Sequence, residues 1–87
     1  MYKQDIVIQN ETGLHARPAS LFVKEAAKYS SEIKVIKENQ AYNAKSIMGL
    51  LSIGVAKGDI LTIQAEGEDA EKAVKNLVDL ATNHLKD

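Results

Sequence analysis

The segment from Thr12 to Ser20 holds the residues of this chain whose types and spacing are best suited to chemistry. His15 stands where a glycine-containing turn passes into a predicted helix, and Arg17 follows two residues later. A neutral imidazole is a nucleophile toward phosphoryl groups, and a guanidinium binds phosphate through paired hydrogen bonds. The first N–H groups of a helix have no acceptor inside it, so the helix start at Ala16 also favours an anion. The segment therefore predicts a phosphoryl-accepting site at His15, with Ala16, Arg17 and the Thr12 hydroxyl as phosphate-binding groups.

The short pattern allows other interpretations. A single histidine at a helix start is most often a surface or capping residue, and His-x-Arg-Pro is a weak motif by itself. Pro18 supports a helix start, because the N–H that proline lacks would have no acceptor in the first turn. The hydroxyls of Thr12 and Ser20 suit turn closure and helix solvation as well as they suit a ligand. His84 is predicted to be a solvated residue of the final turn.

Length and composition exclude several classes of protein. The chain has 87 residues, no cysteine and a formal net charge of −1. This length predicts one domain over residues 1–87, without disulfides or thiolate metal sites, and suits the cytoplasm. The charge balance argues against direct nucleic-acid binding, which normally requires a basic excess. No apolar stretch is long enough for membrane insertion, and no motif for a metal or another cofactor is present.

Apolar periodicity predicts the order βαββαβα and an α+β fold. The expected strands cover residues 2–9, 32–37, 40–44 and 60–66, and the expected helices cover residues 16–28, 47–52 and 70–85, with Asp69 as the last N-cap. The strands alternate apolar and polar residues, which is typical of a sheet with helices on one face and solvent on the other. Periodicity does not give the pairing of the strands.

The short helix after Ser46 contains more apolar residues than it can bury. Helical phase places Ile47, Leu50 and Leu51 on one side, where packing in some combination is expected, and turns Met48 away from them. Leu21 falls on the outer side of the preceding helix. Ser46 stands at the N-cap, where a serine side chain accepts a hydrogen bond from the first turn.

Two long motifs add a family resemblance. Gly13-Leu14-His15-Ala16-Arg17-Pro18-Ala19-Ser20 resembles the active-centre signature of HPr, the histidine-containing phosphocarrier family of the bacterial sugar phosphotransferase system. Lys45-Ser46-Ile47-Met48-Gly49-Leu50-Leu51-Ser52 resembles the regulatory-serine region of that family. The resemblance covers almost the whole chain. It implies an open-faced two-layer sandwich whose four antiparallel strands lie in the order 1-4-2-3, with three helices on one face.

The resemblance also implies partners. The phosphoryl group would come from enzyme I and pass to sugar-specific IIA domains, with a HPr kinase/phosphorylase and a catabolite repressor as possible further partners. It implies that a monomer docks through the surface of the two helices, and that Ser46 is a regulatory phosphorylation site. The expected docking residues are Ser20, Leu21, Ile47, Met48 and Leu51.

Three other functions stay open at this point. A purely regulatory protein of the same fold would act through Ser46 and Met48 and would not need His15. A member of the nitrogen-related phosphorelay would carry the same histidine. A phosphate-ester hydrolase would need a second catalytic acid or base, for which Glu11 is the only candidate nearby. A carrier returns the group it receives, so it is a stoichiometric component of a relay rather than a free-standing enzyme.

Overall fold

The computed structural model describes residues 1–9 and 16–83. In chain order its elements are β1 (Tyr2–Val7), α1 (Ala16–Ala26), β2 (Glu32–Lys37), β3 (Gln40–Asn43), α2 (Ile47–Leu51), β4 (Ile60–Glu66) and α3 (Ala70–Asn83). This confirms the predicted order. The predictions for the turn between β1 and α1, for His84 and for the end of the last helix at residue 85 lie outside the described residues.

Four elements end earlier than predicted, β3 and α2 by one residue and β1 and α1 by two. In β1 and α1 the backbone changes its hydrogen-bond partners at that point. After β1, Ile8 leaves the regular ladder and pairs with the loop before β4, donating to the Asp59 carbonyl at 2.9 Å and accepting from the Gly58 N–H at 2.8 Å. At the end of α1, Tyr29 N–H donates to the Ala26 carbonyl at 3.2 Å, three residues back rather than four. Tightening of this kind is common in a last helical turn.

The four strands form an antiparallel sheet in the order β1-β4-β2-β3. The register places Ile6 opposite Leu61 and Val35 opposite Ile63. This is the strand order that the family resemblance implied and that periodicity alone did not supply. The β2–β3 hairpin turns at Glu38 and Asn39, which both have positive φ, 51° and 68°. Two successive residues with positive φ match the right-handed twist of the flanking strands.

The core lies between one face of the sheet and the helices. Sheet residues contribute Ile6, Ile33, Val35, Leu61, Ile63 and Ala65, and the helices contribute Ala19, Phe22, Ala26, Leu50, Ala73, Val74 and Leu77. Apolar periodicity predicts that Ala19, Phe22, Val23 and Ala26 share one face of the first helix. All of them lie in the core except Val23, which is partly buried. On the other face Val7 and Ile60, a registered pair, are exposed. The molecule is therefore an α+β open-faced sandwich, as predicted.

A cluster that we call the polar corner, formed by Ser30, Ser31, Gly67 and Asp69, joins the loop before β2 to the start of α3. The Asp69 carbonyl accepts from Ala73 N–H at 2.8 Å, which is the first bond of α3 and fits the predicted N-cap position. Its carboxylate, however, reaches the other loop and accepts from the N–H groups of Ser30 and Ser31 at 2.9 and 3.0 Å and from the Ser31 hydroxyl.

These hydrogen bonds favour the ionised carboxylate. The Ser31 hydroxyl contributes most, and together the bonds lower the pKa of Asp69 from 3.8 to about 2. Gly67 lies so close to Ser31 that a Cβ on the glycine would stand 2.5 Å from Ser31 Oγ and 2.8 Å from its Cα. The polar corner thus fixes the distance between the loop after α1 and the start of α3.

Candidate functional site

The described part of the predicted site begins with α1. The helix starts at Ala16, as predicted, and its first N–H groups have no acceptor within the helix. Pro18 is buried in the first turn, whereas Arg17 is exposed beside it. The buried proline fixes the start of the helix and leaves the guanidinium of Arg17 in solvent. Predictions for His15 and Thr12 lie outside the described residues.

Ser46 caps α2 as the sequence predicts. Its backbone is extended, with φ −118° and ψ 116°, and its Oγ accepts a hydrogen bond from Gly49 N–H at 3.1 Å. Its own N–H donates to the Asn43 carbonyl at 3.2 Å. The hydroxyl therefore satisfies one of the first N–H groups of the helix, which is a structural role in its own right.

The apolar residues of α2 differ in their burial. Leu50 is fully buried, but Ile47 and Leu51 stay 37% and 38% exposed, beside Met48 at 75%. Of the three residues expected to pack in some combination, Leu50 is the one in the core. A helix of five residues makes less than one and a half turns, so few of its side chains can point straight at the core.

We call Leu21, Ile47, Met48 and Leu51 the apolar patch. Ile47 and Leu51 are neighbours at a spacing of four residues, and Met48 and Leu51 at a spacing of three, so the α2 members form one surface. Leu21 lies on α1, which packs against α2, and its side chain is 42% exposed. Ser20, the remaining predicted docking residue, is half-buried on the same helix.

The surroundings of the apolar patch carry mostly positive charge. Arg17 and Lys24 are exposed on α1, and neither α1 nor α2 has an acidic residue in its first turn. The acidic residue of α1, Glu25, accepts hydrogen bonds from the Tyr29 hydroxyl at 2.8 Å and from Lys28 Nζ at 3.0 Å. Those two bonds, the Tyr29 bond first, lower the pKa of Glu25. A partner for this surface therefore fits best if it combines apolar and acidic groups.

One contact that holds α2 against α1 was not foreseen from the sequence. Lys45 Nζ donates to the Tyr29 carbonyl at 2.6 Å, which ties the residue before Ser46 to the end of α1. The two residues are 16 positions apart, and no local pattern marks such a pair. The bond fixes the start of α2 relative to the segment that follows α1.

Within residues 1–9 and 16–83 no helix has the length and apolar character needed to cross a membrane. The same residues also contain no group of three or more His, Cys, Asp or Glu side chains placed to hold a metal ion.

Comparison with known proteins decides the family. Residues 2–83 match the family model PTS-HPr, described as the PTS HPr component phosphorylation site. The chain belongs to the HPr family. It is 48% identical over 80 residues to phosphocarrier protein HPr of Haemophilus influenzae, covering 92% of this chain and 94% of that protein. It is therefore similar over nearly its full length to a phosphocarrier of the phosphotransferase system.

Solved structures of HPr-family proteins have the same fold as this chain. A crystal structure of HPr from Thermoanaerobacter tengcongensis is 55% identical with a TM-score of 0.90, covering 94% of this chain and 92% of that one. HPr-like Crh of Bacillus subtilis, a catabolite repression protein solved as a dimer with a swapping domain, is 41% identical with a TM-score of 0.76 and 94% coverage of both chains. The family thus includes both phosphocarriers and a catabolite repression protein of the same fold.

Proposed function

We propose that this protein is a phosphocarrier that accepts a phosphoryl group on His15 from phosphorylated enzyme I and donates it to sugar-specific IIA domains. The observation that carries the proposal is the segment Gly13–Ser20, with His15 and Arg17 in the family's active-centre order, inside a chain that matches the family over residues 2–83. The start of α1 at Ala16 and the exposed Arg17 support it, because both favour an anion beside residue 15.

The reaction exchanges one nitrogen–phosphorus bond for another. The Nδ1 lone pair of His15 attacks phosphorus, the bond from phosphorus to the donor imidazole breaks, and its electron pair returns to the donor nitrogen. The second transfer repeats this with a histidine of a IIA domain as the acceptor. Arg17 and the first N–H groups of α1 stabilise the negative charge on the moving group. A site open to solvent at a helix end holds the phosphate without trapping it.

The apolar patch gives both partners a docking surface. Its four members lie on α1 and α2 beside exposed positive charge, and Ser20 extends it on α1. A surface shared by enzyme I and several IIA domains must accept different shapes, and the flexible side chain of Met48 suits that use. A phosphoryl carrier must also release each partner, and an interface of this small extent favours short-lived complexes.

Ser46 is the proposed regulatory site. A phosphate on its hydroxyl adds about −1.5 to −2 charges at the edge of the apolar patch. Such a charge weakens the docking of acidic partners. A HPr kinase/phosphorylase and a catabolite repressor are the further partners proposed for the regulatory site. The proposed location of this relay is the cytoplasm, and the proposed oligomeric state is a monomer.

The deciding experiment is incubation with labelled phosphoenolpyruvate, with and without enzyme I. We expect acid-labile phosphate on the chain only when enzyme I is present, its complete loss in His15→Ala, and its retention in His84→Ala. Labelling of His15→Ala to the wild-type level would contradict the proposal.

A regulatory protein without carrier activity is the second candidate. The similarity to Crh and the exposed Met48 favour it, and the presence of His15 with Arg17 argues against it. The same incubation separates the two candidates, because a purely regulatory protein would take up no phosphoryl group from enzyme I. Size-exclusion chromatography of the unphosphorylated chain tests the proposed monomer against the dimer known for Crh.

A further inference from the structure

Sulfur chemistry in this chain is confined to two thioethers. The sequence contains no cysteine and two methionines, Met1 and Met48. Both are largely exposed, at 77% and 75%, so an oxidant in solution reaches either one without unfolding the protein. The two differ in their surroundings. Met1 precedes β1 at the end of the chain, whereas Met48 is the most exposed member of the apolar patch.

The fold tolerates a change at Met48. Leu50 is the member of α2 that is fully buried in the core, and Ser46 caps the helix through Gly49 N–H at 3.1 Å. Lys45 ties the segment to the Tyr29 carbonyl at 2.6 Å. None of these contacts involves the side chain of Met48. A chemical change of its thioether therefore alters the surface without removing what holds α2 in place.

We propose that Met48 is a redox-sensitive modification site whose oxidation by a peroxide lowers the affinity of the apolar patch for its partners. This inference rests on the proposed function for the identity of the partner. The peroxide transfers one oxygen atom to the sulfur, which loses two electrons and becomes a sulfoxide, and hydrogen peroxide is reduced to water. A methionine sulfoxide reductase reverses the step with two thiols, which are oxidised to a disulfide while the oxygen leaves as water.

The physical effect follows from the polarity of the product. The thioether of methionine is apolar and adapts to different surfaces, whereas the sulfoxide carries a strong hydrogen-bond acceptor. On a partner surface shaped for an apolar group this oxygen loses its water without gaining a donor, which is unfavourable. Met48 is the most exposed member of the apolar patch and neighbours Leu51 at a spacing of three residues, so a partner docked on the patch would cover the sulfoxide. We expect docking to weaken about three- to tenfold.

The test compares each protein with itself before and after oxidation. Wild type and Met48→Leu are treated with hydrogen peroxide, the peroxide is removed with catalase, and peptide mass spectrometry confirms oxidation of each methionine present. Binding to enzyme I and the rate of phosphoryl acceptance are then measured for treated and untreated samples. Since Met48→Leu keeps Met1, it controls for oxidation elsewhere in the chain.

The expected result is an approximately three- to tenfold loss of affinity in treated wild type, no change on treatment of Met48→Leu, and recovery after incubation with the reductase. An unchanged melting temperature of oxidised wild type separates a surface effect from unfolding. Equal binding before and after complete oxidation of Met48 would overturn the inference, as would an equal loss in Met48→Leu. If untreated wild type accepts no phosphoryl group from enzyme I, the proposed function has failed, and the redox inference falls with it.

Discussion

The polar corner and the apolar patch are built in opposite ways. In the polar corner the Asp69 carboxylate accepts three hydrogen bonds from Ser30 and Ser31, and Gly67 leaves no room for a larger residue. In the apolar patch the side chains point outward, and Met48 is 75% exposed. Polar groups of the corner are satisfied inside the chain, whereas apolar groups of the patch are left for a partner. The loop after α1 is therefore held by internal contacts, whereas the exposed side chains of α1 and α2 are available for binding.

Because of this difference, we expect mutations in the two clusters to affect different properties, stability in one and partner binding in the other. Changes in the polar corner should lower the free energy of unfolding and leave partner binding unaffected. Changes to Arg17 and to the exposed side chains of the apolar patch should alter transfer and docking while the melting temperature stays the same. Ser46 is the exception, because it also caps α2. Each of the following variants tests that division.

The largest loss of stability is expected for Gly67→Ala. Gly67 has φ 147°, and the added Cβ would stand 2.5 Å from Ser31 Oγ. Backbone strain and the steric clash should together lower the free energy of unfolding by about 2 to 4 kcal/mol. The melting temperature should fall by on the order of 10 °C or more in thermal denaturation.

Gly54→Ala is the matched control. Gly54 also has a positive φ, 72°, but a Cβ there meets no atom within 4 Å. Strain alone should cost about 1 kcal/mol. Equal losses in the two variants would show that contact with Ser31 contributes nothing.

At the other end of α1, Arg17→Ala should slow phosphoryl transfer and leave stability unchanged. Arg17 is exposed, so its removal leaves no cavity. Loss of a charge-assisted hydrogen bond to the moving group should reduce the rate roughly 10- to 100-fold in both directions. Rapid-quench measurement of transfer from enzyme I tests this. Lys72→Ala removes an exposed positive charge from α3 and should transfer at the wild-type rate; equal slowing there would assign the effect to net charge.

A smaller loss of stability is expected on acidification. The pKa of Asp69 is lowered from 3.8 to about 2, so the ionised carboxylate stabilises the fold fully above its unfolded pKa. That stabilisation disappears as the pH falls from about 4 to about 2, when the folded carboxylate becomes protonated. Melting temperatures of wild type and Asp69→Asn, measured across this range, should converge at the acid end.

Some acid sensitivity should persist in Asp69→Asn. Hydrogen bonds also lower the pKa values of Glu25 and Asp59, chiefly from Tyr29 and from the Ala56 N–H respectively. Parallel pH profiles for wild type and Asp69→Asn, with no convergence, would contradict the assigned role of the carboxylate.

The sequence predicted the elements and their buried faces well, because each depends on neighbours within one or two turns. The alternation of Ile33 and Val35, and the spacing of Phe22 and Ala26, are local properties. Strand order is not local, and only the family resemblance supplied it. The carboxylate of Asp69 shows the limit most clearly, because its position indicated an N-cap whereas its hydrogen bonds reach Ser31, 38 residues away.

For the candidate site, sequence reasoning placed the exposed residues better than the buried ones. Helical phase predicted exposure of Leu21 and Met48, which is confirmed. It did not show which of Ile47, Leu50 and Leu51 is buried, because phase gives direction but not the depth of a five-residue helix in the core. The roles of His15 and Ser46 remain predictions that come from the motifs.

The smallest effects are expected at Ser46, whose side chain stabilises α2 and also lies next to the apolar patch. Its hydroxyl caps α2 through Gly49 N–H at 3.1 Å, and it directly precedes Ile47 of the apolar patch. Ser46→Ala should remove the cap and cost about 1 kcal/mol, with transfer nearly unchanged. Urea denaturation and the transfer assay measure the two quantities separately.

Ser46→Asp should keep the stability of the fold and weaken docking. Aspartate caps a helix as well as serine does, and its charge is favourable at a helix start, so the free energy of unfolding should be kept or slightly raised. The same charge should weaken docking to an acidic partner by about two- to fivefold, because it carries roughly half the charge of a phosphate. Ser46→Asn is the matched control, since it caps equally well without a charge. If Ser46→Asn loses as much affinity for enzyme I as Ser46→Asp, shape rather than charge governs this edge of the apolar patch. If neither variant loses affinity, Ser46 is a helix cap alone.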